Sequence, residues 1–303
     1  MKRTLGMLLA LALLLGMGLA QAQEPLGDMT GREVSLSAPA QRVVILSPSD
    51  VEILYALGAG DLLVGRGEYA NYPEAALAVP SVQSGMETNL EQIIALKPDL
   101  IIMSMMAQTK EHSEKLEEAG IRVAVTNAQD IKGTYEAIRL VGALVGRDAE
   151  AETLVKDMEG RFNALSEKAR GMTGGSVYFE VSPLQWGLWT TGKGTFMQNI
   201  ADILGLKNSF EDVEGWAEVS QEQVLERDPD YIVTVAMYYG EGPTPVEEIM
   251  SRPGWESLKA VKNGMVLQLD SDQISRPGPR LADAAEALFE LIYGTAQEAK
   301  PAA

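Results

Sequence analysis

Large aromatic and sulfur-bearing side chains collect in the loops of this sequence, outside its periodic stretches, and they suit ligand binding better than catalysis. Tyr69 and Tyr72 stand in Gly67-Glu-Tyr-Ala-Asn-Tyr-Pro73; Trp186, Trp189, Trp216, Met237, Tyr238 and Tyr239 follow strand-like runs in the second half. Amphipathic rings on loops fit a pocket for a bulky, partly apolar ligand. Any single ring is as readily a cover over a local core, but their occurrence after strands in both halves favours one shared cleft. The last such loop, Asp270-Ser-Asp272-Gln-Ile-Ser-Arg276-Pro-Gly-Pro-Arg280, adds two arginines and two acids.

Catalytic chemistry has little to work with. There is no cysteine, which removes thiol nucleophiles, disulfides, thiolate metal sites and a lipid carried on an N-terminal cysteine. The single histidine, His112, lies among Lys110, Glu111 and Glu114 and reads as a solvated surface group. No G-x-S-x-G, H-E-x-x-H or calcium-loop pattern occurs. Gly187-Leu-Trp-Thr-Thr-Gly192-Lys193 imitates a phosphate loop. Gly194, however, stands where a hydroxyl must hold the metal, and Trp186 and Trp189 crowd a cradle that needs small residues. No catalytic residue, resident cofactor or protein-held metal is expected.

The elements that must position these loops alternate. Arg42–Leu46 is a β-branched run ended by Ser47-Pro48-Ser49, which starts a helix through Leu57. Leu62–Gly65, Leu100–Met103 and Arg122–Val125 read as further strands, and Glu91–Leu96 and Lys110–Ala119 as helices. The short Glu33–Leu36 run lies in a lead-in segment. Strand–helix alternation predicts parallel βαβ units. Asp148–Arg170 has apolar residues at helical spacing (Ala151, Leu154, Val155, Met158, Phe162 and Leu165), enough for a helix of roughly 35 Å. Alternation resumes at Ser176–Val181.

A repeat makes the organisation explicit. Glu91-Gln-Ile-Ile-Ala-Leu-Lys-Pro-Asp-Leu-Ile-Ile102 matches Glu222-Gln-Val-Leu-Glu-Arg-Asp-Pro-Asp-Tyr-Ile-Val233, 131 residues on. Self-similarity at about half the chain predicts two similar lobes. The fold class is therefore α/β with two similar Rossmann-like lobes, and a helix as long as Asp148–Arg170 between them is either a rigid connector or an ordinary surface helix. The boundaries expected are 1–22 for a leader, 41–147 for the N-terminal lobe, 148–171 for the connecting helix and 175–295 for the C-terminal lobe.

The leader reads from Lys2 and Arg3, an apolar run Leu5–Leu19 and Ala20-Gln-Ala22, the order of a secretory signal peptide. Its apolar run falls short of the roughly 20 residues of a membrane span. A cleaved signal and no anchoring cysteine predict a protein free in a bacterial periplasm. Without Lys2 and Arg3 the chain carries 43 acidic against 23 basic side chains, a net charge of −20. That excludes nucleic acid as a partner, since phosphate binding needs clustered positive charge.

The ordered set Arg42-Val-Val-Ile-Leu-Ser-Pro-Ser49, Asn89-Leu-Glu-Gln-Ile-Ile-Ala-Leu-Lys-Pro-Asp-Leu100, Trp189-Thr-Thr-Gly-Lys-Gly-Thr-Phe196, Trp216-Ala-Glu-Val-Ser-Gln-Glu-Gln-Val-Leu225, Arg252-Pro-Gly-Trp255 and Ser275-Arg-Pro-Gly-Pro-Arg280 resembles the substrate-binding proteins of ABC importers for vitamin B12, ferric siderophores and haem. The resemblance runs from Arg42 to Tyr293. It implies two Rossmann-like α/β lobes joined by a single long rigid helix, a ligand in the cleft between the lobes, a monomer, and delivery to an ABC permease dimer with its cytoplasmic ATPase. It also implies one docking carboxylate per lobe, here Glu91 and Glu222. The vitamin B12-binding branch places Tyr69, Trp189, Trp216, Asp272 and Arg276 at cleft positions; Tyr72, Met86, Met237 and Tyr238 join them from the same loops. That branch carries tryptophans where this chain has Gly85 and Ser104. A corrinoid is the leading ligand, with haem or a ferric siderophore as the alternatives, so a small metal chelate would bring cobalt or iron with it. Readings of a different class are an extracytoplasmic enzyme and a sensor or interaction protein on the same scaffold.

Overall fold

A computed structural model describes residues 26–85, 87–105, 110–238, 240 and 242–294. The leader 1–22, Met86, Tyr239 and the C-terminal tail therefore lie outside the described residues. A small antiparallel ribbon, β1 (Leu26–Gly27) and β2 (Glu33–Val34), leads in. Then come β3 (Val43–Ile45), α1 (Pro48–Ala56), β4 (Leu63–Gly67), β5 (Ser81–Val82), α2 (Leu90–Ala95), β6 (Leu100–Ser104), α3 (Lys110–Glu118), β7 (Arg122–Thr126) and α4 (Ile131–Val145). The five strands β5-β4-β3-β6-β7 lie side by side, all parallel. Beyond helix α5 (Asp148–Ala169) come β8 (Ser176–Glu180), β9 (Leu188–Thr191), α6 (Phe196–Ile203), β10 (Lys207–Asn208), β11 (Trp216–Val219), α7 (Gln221–Arg227), β12 (Tyr231–Thr234), α8 (Pro245–Ser251), α9 (Lys259–Lys262), β13 (Val266–Gln268), α10 (Ser271–Ile274) and α11 (Leu281–Phe289). Here β10-β8-β12-β13 form a second parallel sheet, and β9 and β11 an antiparallel ribbon.

The repeat is a physical device used twice. Asn89 caps α2 by accepting from the Gln92 N–H at 3.0 Å, and Ser220 caps α7 by accepting from the Gln223 N–H at 3.3 Å. Each helix ends on a left-handed residue before proline: Lys97 (φ 49°) and Asp228 (φ 42°), the two described non-glycine residues with positive φ. They are 131 residues apart, the spacing of the sequence repeat. The aspartate after each proline ties the turn to the edge of the adjacent strand. The Asp99 carboxylate accepts from the Gln41 and Arg42 N–H groups at 2.9 and 3.0 Å, and Asp230 accepts from the Ser176 N–H and hydroxyl at 2.8 and 2.9 Å. The Pro-Asp pair thus sets where β3 and β8 begin.

Helix α5 spans 22 residues, about 33 Å, and buries Ala151, Val155, Met158, Phe162, Leu165 and Ala169 along one stripe. It packs against α4 at its start and against α6 and α11 further on. Gly142 of α4 allows the close approach: a Cβ there would lie 2.7 Å from that of Ala151. The Arg161 guanidinium reaches the Glu286 carboxylate of α11 at 2.7 and 2.8 Å. One hydrophobic core runs from β3 and α1 through α4 and α5 to β8, α6 and α11, so the helix is embedded in both halves along its length. Among the described residues, no helix is long and apolar enough to cross a membrane.

Replacing Asp99 or Asp230 by Ala is expected to lower unfolding free energy by about 1–2 kcal/mol each, read from urea denaturation. Additive losses in the double variant would show that the two lobes use the device independently.

Candidate functional site

Because every strand of both large sheets is parallel, the strand C-termini of each sheet lie along one edge, the edge where open α/β sheets hold ligands. A cavity of about 1140 Å³ opens there. The first sheet lines it with Leu46 after β3, Glu68 and Tyr69 after β4, Ser84 after β5, Ser104 ending β6 and Thr126 to Gln129 after β7. From the second sheet come Ala236 to Tyr238 after β12 and Gln268 to Asp272 after β13. Gly67 makes the β4 exit possible, since a Cβ at that position would lie 2.1 Å from the Leu46 carbonyl oxygen. The volume exceeds the usual range for drug-sized ligands.

The sequence-predicted residues divide. Tyr69, Met237, Tyr238, Asp272 and Arg276 line the cavity. Tyr69 is 68% exposed and Tyr238 is half exposed, its hydroxyl donating to the Gly242 carbonyl at 3.2 Å. Gly85 and Ser104 also line it. Tyr72 does not line the cavity: its ring lies under the Arg280 guanidinium, 4.1 Å from centroid to carbon. Trp189 and Trp216 do not line it either. They belong to the β9–β11 ribbon, where Trp189 pairs with Glu218 and Trp216 packs on Phe196 at 5.4 Å. The residues that imitate a phosphate loop form strand β9 of this ribbon. His112 is partly exposed on α3 and does not line the cavity. Met86 lies outside the described residues.

Two acids on α1 were not anticipated. The Glu52 carboxylate is 2% exposed and accepts from Arg276 Nη1 at 3.0 Å, Arg280 Nη2 at 2.6 Å and Arg280 Nε at 2.8 Å. Arg276 also reaches Asp272 at 2.7 Å and the Asn71 amide oxygen at 2.8 Å, while Asn71 donates to Asp272 at 2.9 Å. The segment leaving the second sheet is thereby fastened to the first helix of the other lobe. A charged residue inside the apolar run Val51-Glu-Ile-Leu was the available signal. Asp50 lies at the cavity wall, fully buried, accepting from the Thr126 hydroxyl at 2.8 Å. Burial raises its pKa to about 7, against the opposing pull of hydrogen bonds from Thr126 and Ser47.

Glu91 and Glu222 occupy the same position, the second residue of α2 and of α7, and both are exposed. Hydrogen bonds to the Ser220 hydroxyl and to its own backbone N–H hold the Glu222 carboxyl below its ordinary pKa.

Glu52→Ala should cost about 3–5 kcal/mol of stability by stranding two partly buried arginines; an unchanged urea midpoint would show that the fork couples nothing. Asp50 gives a pH signature. Between its unfolded pKa near 3.8 and its folded value of about 7, the folded state keeps a proton that the unfolded chain has lost. Its contribution to stability therefore falls as pH rises across that window, by on the order of 4 kcal/mol. The stability of wild type relative to Asp50→Asn, measured by urea unfolding, should therefore be lower at pH 7.5 than at pH 4.5; an unchanged relative stability would return Asp50 to ordinary carboxylate behaviour.

The model of the family described as periplasmic binding protein matches residues 43–273. The chain is 35% identical over 272 residues to the uncharacterised ABC transporter substrate-binding lipoprotein YvrC of Bacillus subtilis (strain 168), covering 88% of this chain and 84% of that protein. It is 31% identical over 256 residues to the vitamin B12-binding protein of Salmonella choleraesuis (strain SC-B67), covering 84% and 90%. Among solved structures, a periplasmic haem-binding protein of Pseudomonas aeruginosa superposes with a TM-score of 0.75 at 25% identity, over 87% of this chain and 95% of that one. These matches span both lobes and the helix between them, and the chain belongs to the periplasmic binding protein family.

Proposed function

We propose that this protein is the solute-binding component of an ABC importer and that its ligand is a corrinoid. The observation that carries the reading is the inter-lobe cavity of about 1140 Å³, roomy enough for a ligand beyond drug size. Its wall pairs Tyr69, Met237 and Tyr238 with hydroxyls and carboxamides of Ser84, Ser104, Asn127, Gln129 and Gln268. Rings and a thioether suit the flat face of a macrocycle, and amide and hydroxyl groups suit a rim of carboxamides. The vitamin B12-binding relative supports the same ligand. Haem is the second reading, because Tyr69 and Met237 are residue types that ligate haem iron and the Pseudomonas protein binds haem.

Export by a cleaved leader would leave the protein free in the periplasm, since the sequence offers no cysteine for a lipid. The Bacillus relative is a lipoprotein by name, so recovery of this protein in the membrane fraction of its host would overturn a free state. In this reading Glu91 and Glu222, at matched positions of the repeat, dock on the permease dimer, one per lobe.

Titration with cyanocobalamin and haemin, followed by tryptophan fluorescence and the ligands' visible spectra, is expected to give saturable sub-micromolar corrinoid binding. Haemin binding with a shifted Soret band, and none by the corrinoid, would move the ligand to haem. Glu91→Lys/Glu222→Lys should abolish uptake in cells and leave the measured Kd within about twofold; undiminished uptake would end the docking assignment.

A further inference from the structure

The charges of the cavity wall are one-sided. Among the described lining residues Asp50, Glu68, Asp270 and Asp272 are acidic, and Arg276 is the one base. The Arg276 guanidinium is already committed, to Glu52 at 3.0 Å, Asp272 at 2.7 Å, Asn71 at 2.8 Å and the Tyr69 carbonyl at 3.3 Å, with its side chain 12% exposed. Arg280 is held by Glu52 in the same way. Lys193, another base near the ribbon, pairs with Glu214 at 3.1 Å and is not part of the wall. The cavity therefore offers a ligand no uncommitted cation from a described residue. Opposite stand Glu68 and Asp270, both exposed, and Asp50, whose partners are hydroxyls.

We propose that this cavity selects its ligand by charge, accepting neutral or cationic metal complexes with N–H donors on their rim and rejecting anionic ones, with Asp50 and Glu68 as the specificity-determining groups. The inference rests on the binding-protein reading and deepens it. A ligand carboxylate or catecholate brought against these walls loses its water and meets like charge at low effective dielectric, where repulsion is stronger than in bulk water. A carboxamide N–H or a cationic metal centre meets an acceptor instead. Haem, with two carboxylates, and tris-catecholate iron complexes fall on the rejected side; amide-fringed corrinoids and uncharged tris-hydroxamate iron complexes fall on the accepted side.

The test uses probes of one shape and different charge. Affinities of the mature protein for cyanocobalamin and for its monocarboxylic acid, in which one peripheral amide is hydrolysed, are compared by fluorescence titration at low salt and pH 8.5, above the folded pKa of about 7 for Asp50. The neutral form is expected to bind at least tenfold more tightly, and that ratio should fall severalfold in Asp50→Asn/Glu68→Gln and at high salt. A ratio near one in the wild type overturns charge selection. A ratio that the double variant leaves unchanged overturns the assignment to Asp50 and Glu68. Should neither corrinoid bind, ferrichrome is compared with ferric enterobactin. Binding of the neutral hydroxamate alone supports charge selection while the corrinoid reading fails. Equal or tighter binding of haemin or of the tris-catecholate, or no binding by any of these probes, sinks the inference.

Discussion

The carboxylate of Glu52 is the constraint on which the cleft depends. It is withdrawn from water on the first helix of one lobe, and two arginines of the segment leaving the other lobe's sheet close on it. A carboxylate that stays ionised when buried needs its lone pairs filled by charged donors, so the segment has little freedom to lie elsewhere. Asp272 and Asn71 join through Arg276, and Tyr72 through the face of its ring under Arg280. One wall of the cavity is therefore fixed to the other by a polar cluster whose members cannot be separated without leaving a desolvated charge.

Around that fastening the architecture is repetitive. The same kind of cap, a left-handed residue before proline and an aspartate anchor the starts of β3 and β8, and parallel pairing then puts the strand C-termini of each sheet along one edge. Helix α5 shares a continuous core with both lobes. Opening the cleft by swinging the lobes would have to bend this helix or slide its buried stripe, both resisted by close packing. The C-terminal lobe has a buried ion pair of its own: Arg252 of the Arg-Pro-Gly-Trp motif meets Glu180 at 2.9 Å and stacks 4.0 Å over Trp255. That motif is thereby part of the lobe's interior, away from the ligand wall.

Much of this was legible before any coordinates. Hydrophobic period and turn residues located the β3, β6, β7 and β8 strands and helix α5 to within a residue or two, since those signals act over a few neighbours. The repeat announced two lobes because the Pro-Asp turn does the same local work twice. Tyr69, Met237 and Tyr238, named from the aromatic loops, follow strands of the parallel sheets and line the cavity. Trp189 and Trp216 follow the same rule in sequence but fall on an antiparallel ribbon, whose pairing joins residues about 28 positions apart and cannot be read from local pattern. Helix α4 buries Ile131, Ala137, Ile138, Val141, Leu144 and Val145, a face interrupted in sequence by Gly133 and Gly142.

What the sequence determined by itself was the class of the molecule: two α/β units and a long helix between them, with no cysteine and strong negative charge. These follow from composition and from interactions between near neighbours in the chain. Only the tertiary structure decided the roles of the charged residues. Read along the chain, Arg276 and Arg280 are two bases in a loop with two acids, open to a ligand or to a structural pair. Folding brings them to Glu52, more than 220 residues away, and turns them into structure. Asp50 reads as an ordinary first-turn acid on its helix, yet β7 and the surrounding core strip it of water. Whether a charge serves the ligand or the fold depends on which distant groups desolvate and neutralise it, and that is settled by packing.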